Sequence, residues 1–213
     1  MGVSIAVAVG VYGVSFGALG VAAGLSVWQA VVLSMLMFTG GSQFAFIGVI
    51  AGGGTLGAAT TAASLLGIRN AVYGVQLNAL LRPRAAVKPL MAQLTIDEST
   101  ATAVAQPDTA EQRRGFWTAG VGVWIMWNLF TLVGALLGSQ IGDPAAFGLD
   151  GAAVAAFLGL LWPRLKGKDA AAIAVASAFV TLVAGPFVPA GIPIIVAAAV
   201  SGALAVAQHR RTP

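Results

Sequence analysis

Residues 1–68 contain no aspartate, glutamate, lysine or arginine, and the first charged side chain of the sequence is that of Arg69. This permanent cation lies about halfway along residues 55–81, a segment that otherwise has the composition of a membrane span. An arginine at the centre of a bilayer costs about 2.5 to more than 10 kcal/mol when it faces lipid. We therefore expect Arg69 to face a cavity, a carboxylate partner or an anionic ligand inside a helical bundle.

The composition places the whole chain in a membrane. Of its 213 residues, 58% are hydrophobic and 8% are charged, whereas a soluble domain carries about 25% charged residues. The apolar runs are long enough for helices, which predicts an all-α, polytopic integral membrane protein with one transmembrane domain over residues 1–213. The basic residues lie in short loops between these runs, a pattern that does not indicate a nucleic-acid partner.

The residue inventory excludes most kinds of chemistry. The chain has no cysteine, which excludes disulfides, thiolate metal sites and cysteine nucleophiles. Its one histidine, His209, lies in a basic tail, so His-based catalytic triads and multi-His metal sites are excluded as well. No glycine-rich lysine motif of the Walker type occurs, which argues against ATP hydrolysis. We expect no enzymatic activity, no metal and no cofactor.

The hydrophobic pattern predicts about seven transmembrane helices and one shorter, more polar helix. The predicted spans are residues 3–23, 28–50, 55–81, 116–141, 151–162, 170–184 and 194–208. The short helix covers residues 90–105 and carries Asp97 and Glu98. It either dips into the bundle or lies on the surface as a solvated amphipathic helix. Residues 106–114 are predicted to form a polar linker.

Two segments rich in small residues each allow two interpretations. The span 28–50 is interrupted at residues 39–43 by Thr-Gly-Gly-Ser-Gln, which is either a tolerated kink or a break that lines a substrate path. Such a break survives in a membrane only where protein or a water-filled cavity satisfies the freed backbone groups. Residues 14–20 favour a helix-packing face, because small residues let backbones approach closely. A locally unwound backbone is the alternative for this segment.

Arg69, Tyr73 and Gln76 are spaced by four and three residues, so they share one face of a helix. This polar face is either an interhelical hydrogen-bond cluster or part of a binding site. In one interpretation Arg69 pairs with Asp97 or Glu98, the acids outside the loops that can approach it. In the other, Tyr73, Gln76 and backbone carbonyls hold Arg69, and its free face receives a carboxylate ligand. We favour the second, because the interrupted span offers backbone groups at the same depth.

These groups together predict a small apolar zwitterion as the substrate. An arginine can hold a carboxylate through a bidentate pair, and an exposed helix end can supply N–H groups for the same purpose. An acid can hold an ammonium group or carry a proton, and the apolar lining suits an aliphatic side chain. The candidate substrate-binding residues are Gly40, Gly41, Ser42, Gln43, Arg69, Asn70 and Tyr73, and the candidate coupling or ammonium-binding residues are Asp97 and Glu98.

The distribution of basic residues predicts the orientation. All lysines and arginines other than Arg69 fall on one side of the predicted topology, whereas the opposite loops carry only Asp143 and Asp150. Because basic loops stay in the cytoplasm, we expect a multi-pass protein of the inner (plasma) membrane. Its N-terminus is predicted outside, and its C-terminus and the short helix on the cytoplasmic side. The basic residues are Arg82, Arg84, Lys88, Arg113, Arg114, Arg164, Lys166, Lys168, Arg210 and Arg211.

Four motifs occur in order along most of the chain: Val14-Ser-Phe-Gly17-Ala-Leu, Phe38-Thr-Gly-Gly-Ser-Gln-Phe44, Ile68-Arg-Asn-Ala-Val-Tyr-Gly74 and Thr95-Ile-Asp-Glu98. The set resembles the AzlC-like branched-chain amino acid permeases. This resemblance implies the large subunit of an exporter of branched-chain amino acids, working by proton exchange beside a small AzlD-like membrane subunit. The family usually has asparagine at the position of Gly67 and histidine at that of Asn70, which bears on coupling and substrate choice. The residues alone are also compatible with a passive channel, or with a structural subunit for a transporting partner.

Overall fold

The computed structural model describes residues 2–140, 158, 161–162, 165–189 and 192–209. Within these residues the chain contains helices, turns and loops but no β-strand, which confirms the all-α prediction. The helices are α1 (Gly2–Val11), α2 (Gly13–Ala22), α3 (Val27–Leu36), α4 (Gly41–Ala51), α5 (Leu56–Leu81), α6 (Lys88–Gln93), α7 (Asp97–Val104), α8 (Thr109–Gln140), α9 (Lys168–Ala184) and α10 (Ile192–His209). Among the described residues, three helical stretches are long and apolar enough to cross a membrane: Gly2–Ala22, Thr109–Gln140 and Lys168–Phe187. Shorter apolar helices accompany them, as expected for a polytopic membrane protein with broken helices.

The centre of the fold is the long helix α8, which packs along α1 and α2 through glycines. A Cβ atom added at Gly17 would overlap the backbone oxygen of Thr131, and one added at Gly134 would overlap that of Val14. Helix α2 is continuous through this region. Residues 14–20 therefore form a helix-packing face, which is the interpretation favoured from the sequence, and they are not unwound.

Gly17→Ala is expected to destabilise the protein by about 1–3 kcal/mol, because the new methyl group has no space against α8. Gly48→Ala is the matched control, since Gly48 also lies within a helix but has no atom within 4 Å of an added Cβ. Thermal unfolding of both variants in the same detergent measures the difference. Equal melting temperatures would show that α2 and α8 do not pack this closely.

The second predicted span consists of two half-helices, α3 and α4. Residues 37–40 separate them, and Gly40 adopts φ +64°, a left-handed conformation that side chains disfavour. The predicted break is confirmed, but its position needs a correction, because Gly41, Ser42 and Gln43 form the first turn of α4. Helix resumes directly after the glycine, since the N–H of Gln43 donates to the Gly40 carbonyl at 3.0 Å.

Side chains satisfy the carbonyl groups that are freed at the end of α3. The Nε2 of Gln43 donates to the Ser34 carbonyl at 3.2 Å. The Nε2 of Gln93, the last residue of α6, donates to the carbonyls of Met35 at 2.8 Å and Leu36 at 3.4 Å. Inside a membrane such protein groups replace the water that would otherwise bond to the backbone. Side chains from α4 and α6 thus stabilise the non-helical backbone between α3 and α4.

The short predicted helix is also interrupted, since residues 94–96 separate α6 from α7. Ser99, Thr100 and Ala103 of α7 are buried, and the helix packs against α5 and α8. The segment therefore dips into the bundle, and the alternative of a solvated amphipathic helix is wrong. Its polar side chains bond locally: the Ser99 hydroxyl donates to the Leu94 carbonyl at 2.7 Å.

The predicted polar linker at residues 106–114 is mostly helical. Helix α8 begins at Thr109 rather than at residue 116. The cause is Asp108, whose Oδ1 accepts the N–H groups of Ala110 at 2.9 Å and Glu111 at 3.0 Å and so caps an extra polar turn.

Helices α9 and α10 pack mainly against each other, with a hydrogen bond of 2.7 Å between the hydroxyls of Ser177 and Ser201. Most of the predicted short span at residues 151–162 lies outside the described residues. The same holds for Asp143, Asp150, Arg164, Arg210 and Arg211.

Candidate functional site

The chain thus has two helix breaks, the first at residues 37–40 and the second at residues 94–96. Both breaks and the middle of α5 border a cavity with about 480 Å³ of empty space, part of it open to solvent. Helices α1, α7 and α8 complete the walls. The apolar part of the lining is Val9, Phe38, Ile96 and Val123, and the other lining residues are aromatic, polar or glycine.

Arg69 lies in the cavity wall, where both interrupted segments hold it. Its guanidinium pairs with Asp97 of α7 (Nη1 to Oδ2, 2.8 Å) and donates from Nη2 to the Thr39 carbonyl at 3.1 Å. The two charged side chains are 22% and 28% exposed, so the pair opens towards the cavity. The interpretation favoured from the sequence, in which Tyr73, Gln76 and backbone carbonyls rather than an acid hold Arg69, is therefore wrong in two respects: Asp97 pairs with Arg69, and Gln76 does not hold it. Gln76 is exposed, because the buried face of α5 at that level is centred on Leu77.

Asn70 donates a hydrogen bond to a backbone carbonyl of the second break, as Arg69 does to one of the first. Its Nδ2 donates to the Thr95 carbonyl between α6 and α7 at 3.0 Å. Two consecutive residues of one continuous helix therefore satisfy freed carbonyls in both interrupted segments. Asn70 and Tyr73 are half-buried and do not line the cavity, so the structure places neither of these two candidates at the site.

The candidates near the first break divide into two pairs. Gly40 and Gly41 line the cavity, whereas Ser42 and Gln43 are buried behind it. An added Cβ at Gly41 would lie 3.2 Å from Nη2 of Arg69. The glycine therefore lets the start of α4 approach the guanidinium closely, and the first N–H groups of that helix lie at the same wall.

Glu98 lines the cavity beside Asp97, but its carboxylate makes no ion pair within the described part of the chain. The ion pairs described there are Arg69 with Asp97 and Arg114 with Glu111. The lining thus contains one cation and two acids. With both acids ionised, the cavity carries one unbalanced negative charge, and it resides on Glu98.

Three aromatic rings form another part of the cavity wall. The Tyr12 ring lies 5.5 Å from that of Phe44 and 6.2 Å from that of Trp127, and the last two are 6.3 Å apart. Phe16 packs behind them, 5.6 Å from Phe44. Sequence reasoning missed this wall, because each ring by itself has the pattern of an ordinary core residue. The negative faces of such rings attract cations.

Three hydrogen-bond donors of the lining residues are buried without a partner in the described structure. They are Oγ1 of Thr39, Nε of Arg69 and Nε1 of Trp127. A buried donor that lacks an acceptor costs about 1–3 kcal/mol. A ligand that brings acceptor oxygens into the cavity would remove part of this cost.

The fold and this site define the class of the chain as a multi-pass membrane protein with a charged, aromatic-walled cavity between broken helices. The family model described as AzlC protein matches residues 4–141, which is more than half of the chain and includes every residue that lines the cavity. The chain therefore belongs to the AzlC family, a membrane transport family with a branched-chain amino acid permease role. Neither a curated protein nor a solved structure matches it.

Proposed function

We propose that the chain is the large subunit of a secondary transporter that exports branched-chain or other neutral aliphatic amino acids in exchange for protons. The observation that carries this proposal is the composition of the cavity. It combines unpartnered donors, one unpaired carboxyl group and apolar walls, which together suit a zwitterion with an aliphatic side chain.

The substrate carboxylate is proposed to bind at the donor side of the cavity. Arg69 Nε, Trp127 Nε1 and Thr39 Oγ1 are the donors without partners there. The N-terminus of α4 at Gly41 adds N–H groups and the positive end of a helix dipole. Because Asp97 already neutralises the guanidinium, we expect neutral donors and the helix end to supply much of this recognition.

The substrate ammonium group is proposed to bind Glu98. It is the lining acid without an ion pair in the described structure. The faces of Tyr12 and Trp127 add a second attraction for a cation, about 0.5–2 kcal/mol when water is excluded. The aliphatic side chain would then pack against Val9 and Val123.

Proton exchange is proposed on the basis of the position of Glu98. An ionised carboxylate in a cavity of low polarity is costly unless a cation accompanies it. The carboxyl group therefore holds either a proton or the substrate ammonium, and binding of one releases the other. The other titratable groups that line the cavity are Tyr12, Arg69 and Asp97, the last two already paired.

A small AzlD-like membrane subunit is proposed as the partner. Thr60, Ser64 and Gln76 of α5 are exposed, although polar side chains in membrane helices normally face protein. Val175, Phe179 and Leu182 of α9 are exposed as well. An orientation with the N-terminus outside and the C-terminus in the cytoplasm is proposed from the basic loops.

Uptake of labelled leucine into proteoliposomes, with and without a pH gradient, tests the function. The chain, the partner and both together are reconstituted in parallel. Saturable accumulation that depends on the gradient and on this chain is expected. Unsaturable equilibration alone would identify a pore, and full transport by the partner alone would leave this chain a structural role.

Gly41→Leu is expected to lower leucine transport at least about tenfold, equivalent to roughly 1.4 kcal/mol, by filling the cavity beside Arg69. Gly48→Leu is the matched control, because it adds the same side chain to the same helix at a position with open space. Membrane insertion of both variants is checked by expression level. Normal transport by Gly41→Leu would exclude the start of α4 from the substrate path.

A further inference from the structure

We infer that the surface where α5 ends binds an anionic phospholipid. A pocket open to solvent there has about 830 Å³ of empty space. Its polar lining comes from cations: Arg82, Arg84 and Arg113. Lys88 lines the groove next to it. The site lies outside the substrate cavity and does not depend on the proposed function.

These four cations have no acidic partner within the described part of the chain. Arg114, close by on α8, shows the contrast, because it pairs with Glu111 at 2.9 Å. Arg113 instead donates from Nε and Nη2 to the Leu81 carbonyl, at 3.3 and 2.9 Å, which holds it against the end of α5. A cluster of cations without acidic partners, one of them held in place, attracts an anion.

The backbone at Arg82 supports a role for its side chain. Among the described residues other than glycine, Arg82 alone has a positive φ, at 43°. Its N–H caps α5 by donating to the Asn78 carbonyl at 3.1 Å. Glycine is the favoured residue at such a cap. The chain has an arginine there instead, and that arginine lines the pocket.

An apolar groove continues from the basic pocket, which distinguishes a lipid from a soluble anion. It has about 770 Å³ of empty space, part of it open to solvent, and shares Pro83 and Met91 with the pocket. Its other lining residues are mostly apolar: Ala71, Gly74, Val75 and Ala92, with Asn78, Lys88 and Thr95 as the polar members. Val75 is 73% exposed, so the groove faces outward. The negative headgroup of a phospholipid would fit the basic pocket and its acyl chain would fit the groove, as in other basic pockets at membrane surfaces. A free phosphate would leave the groove empty.

Native mass spectrometry of the purified full chain in neutral detergent tests the inference. The probes are dioleoylphosphatidylglycerol, dioleoylphosphatidylcholine and inorganic phosphate. We expect the anionic lipid to bind at least about tenfold more tightly than the neutral one. The variant Arg82→Gln/Arg84→Gln/Lys88→Gln is expected to lose this preference, whereas Arg114→Gln keeps it. Arg113 is left unchanged because it caps Leu81.

Equal binding of the two lipids by the wild-type chain would overturn the inference, and so would an unchanged preference in the triple variant. Phosphate that binds as tightly as the anionic lipid would assign the pocket to a soluble anion and also overturn it. The comparison of the three probes on the wild-type chain can overturn the inference even if the triple variant fails to fold.

Discussion

Arg69→Met is expected to destabilise the protein by about 3 kcal/mol or more, because it leaves Asp97 without its partner inside the bundle. The variant also removes the donor to the Thr39 carbonyl, so the first break loses one of the hydrogen bonds that stabilise it. The yield of folded protein and its melting temperature in detergent measure the effect. Arg114→Met is the matched control, because its pair with Glu111 is exposed and worth at most about 1 kcal/mol.

The double variant Arg69→Met/Asp97→Asn separates the structural and functional roles of the pair. It removes both charges, so we expect most of the stability to return while transport stays absent. Arg69→Lys keeps the charge but replaces the planar fork by a point charge, and we expect a folded protein with weaker leucine binding. If the double variant both folds and transports, Arg69 is only a structural partner and its place in the substrate site is wrong.

Glu98→Gln is expected to abolish leucine accumulation driven by a pH gradient, a loss of at least about a hundredfold or 2.7 kcal/mol. The amide can neither release a proton nor balance an ammonium charge. We expect normal folding, because the described structure shows no ion pair of the Glu98 carboxylate that the change would break. Transport is measured in proteoliposomes beside the amount of inserted protein.

Glu111→Gln is the matched control for Glu98→Gln, because it makes the same chemical change outside the cavity. It should transport as the wild type does. Undiminished gradient-driven accumulation by Glu98→Gln would remove Glu98 from the coupling mechanism and would leave Asp97 as the remaining candidate acid.

The features that follow local rules could be predicted from the sequence. Long apolar runs predict the helices, paired glycines predict the first break, and a single cation in an apolar run predicts that Arg69 faces the interior. The end of the first break was misplaced, because Gly41 is compatible with either a turn or a helix start. The polar turn before α8 was missed because its cap, Asp108, lies in a segment with the composition of a loop.

The contacts that make the site could not be predicted, because they join distant parts of the chain. Gln93 caps carbonyls of α3 that are 57 and 58 positions away in the sequence. Asp97 and Glu98 are adjacent, and neighbouring residues of a helix point about 100° apart. Only the placement of α7 decides that Asp97 pairs with Arg69 while Glu98 is left to line the cavity.

The central claim is that one carboxyl group, that of Glu98, holds either a proton or the ammonium group of the substrate. Leucine is added to the purified complex in a weakly buffered solution with a pH indicator, and proton release is measured beside the binding isotherm. The account predicts about one proton released per leucine bound, binding that weakens up to about tenfold per pH unit as the pH falls, and no release from Glu98→Gln. Leucine binding without proton release would contradict the shared carboxyl group while leaving the transporter in place, and absence of leucine binding would contradict the proposed function itself.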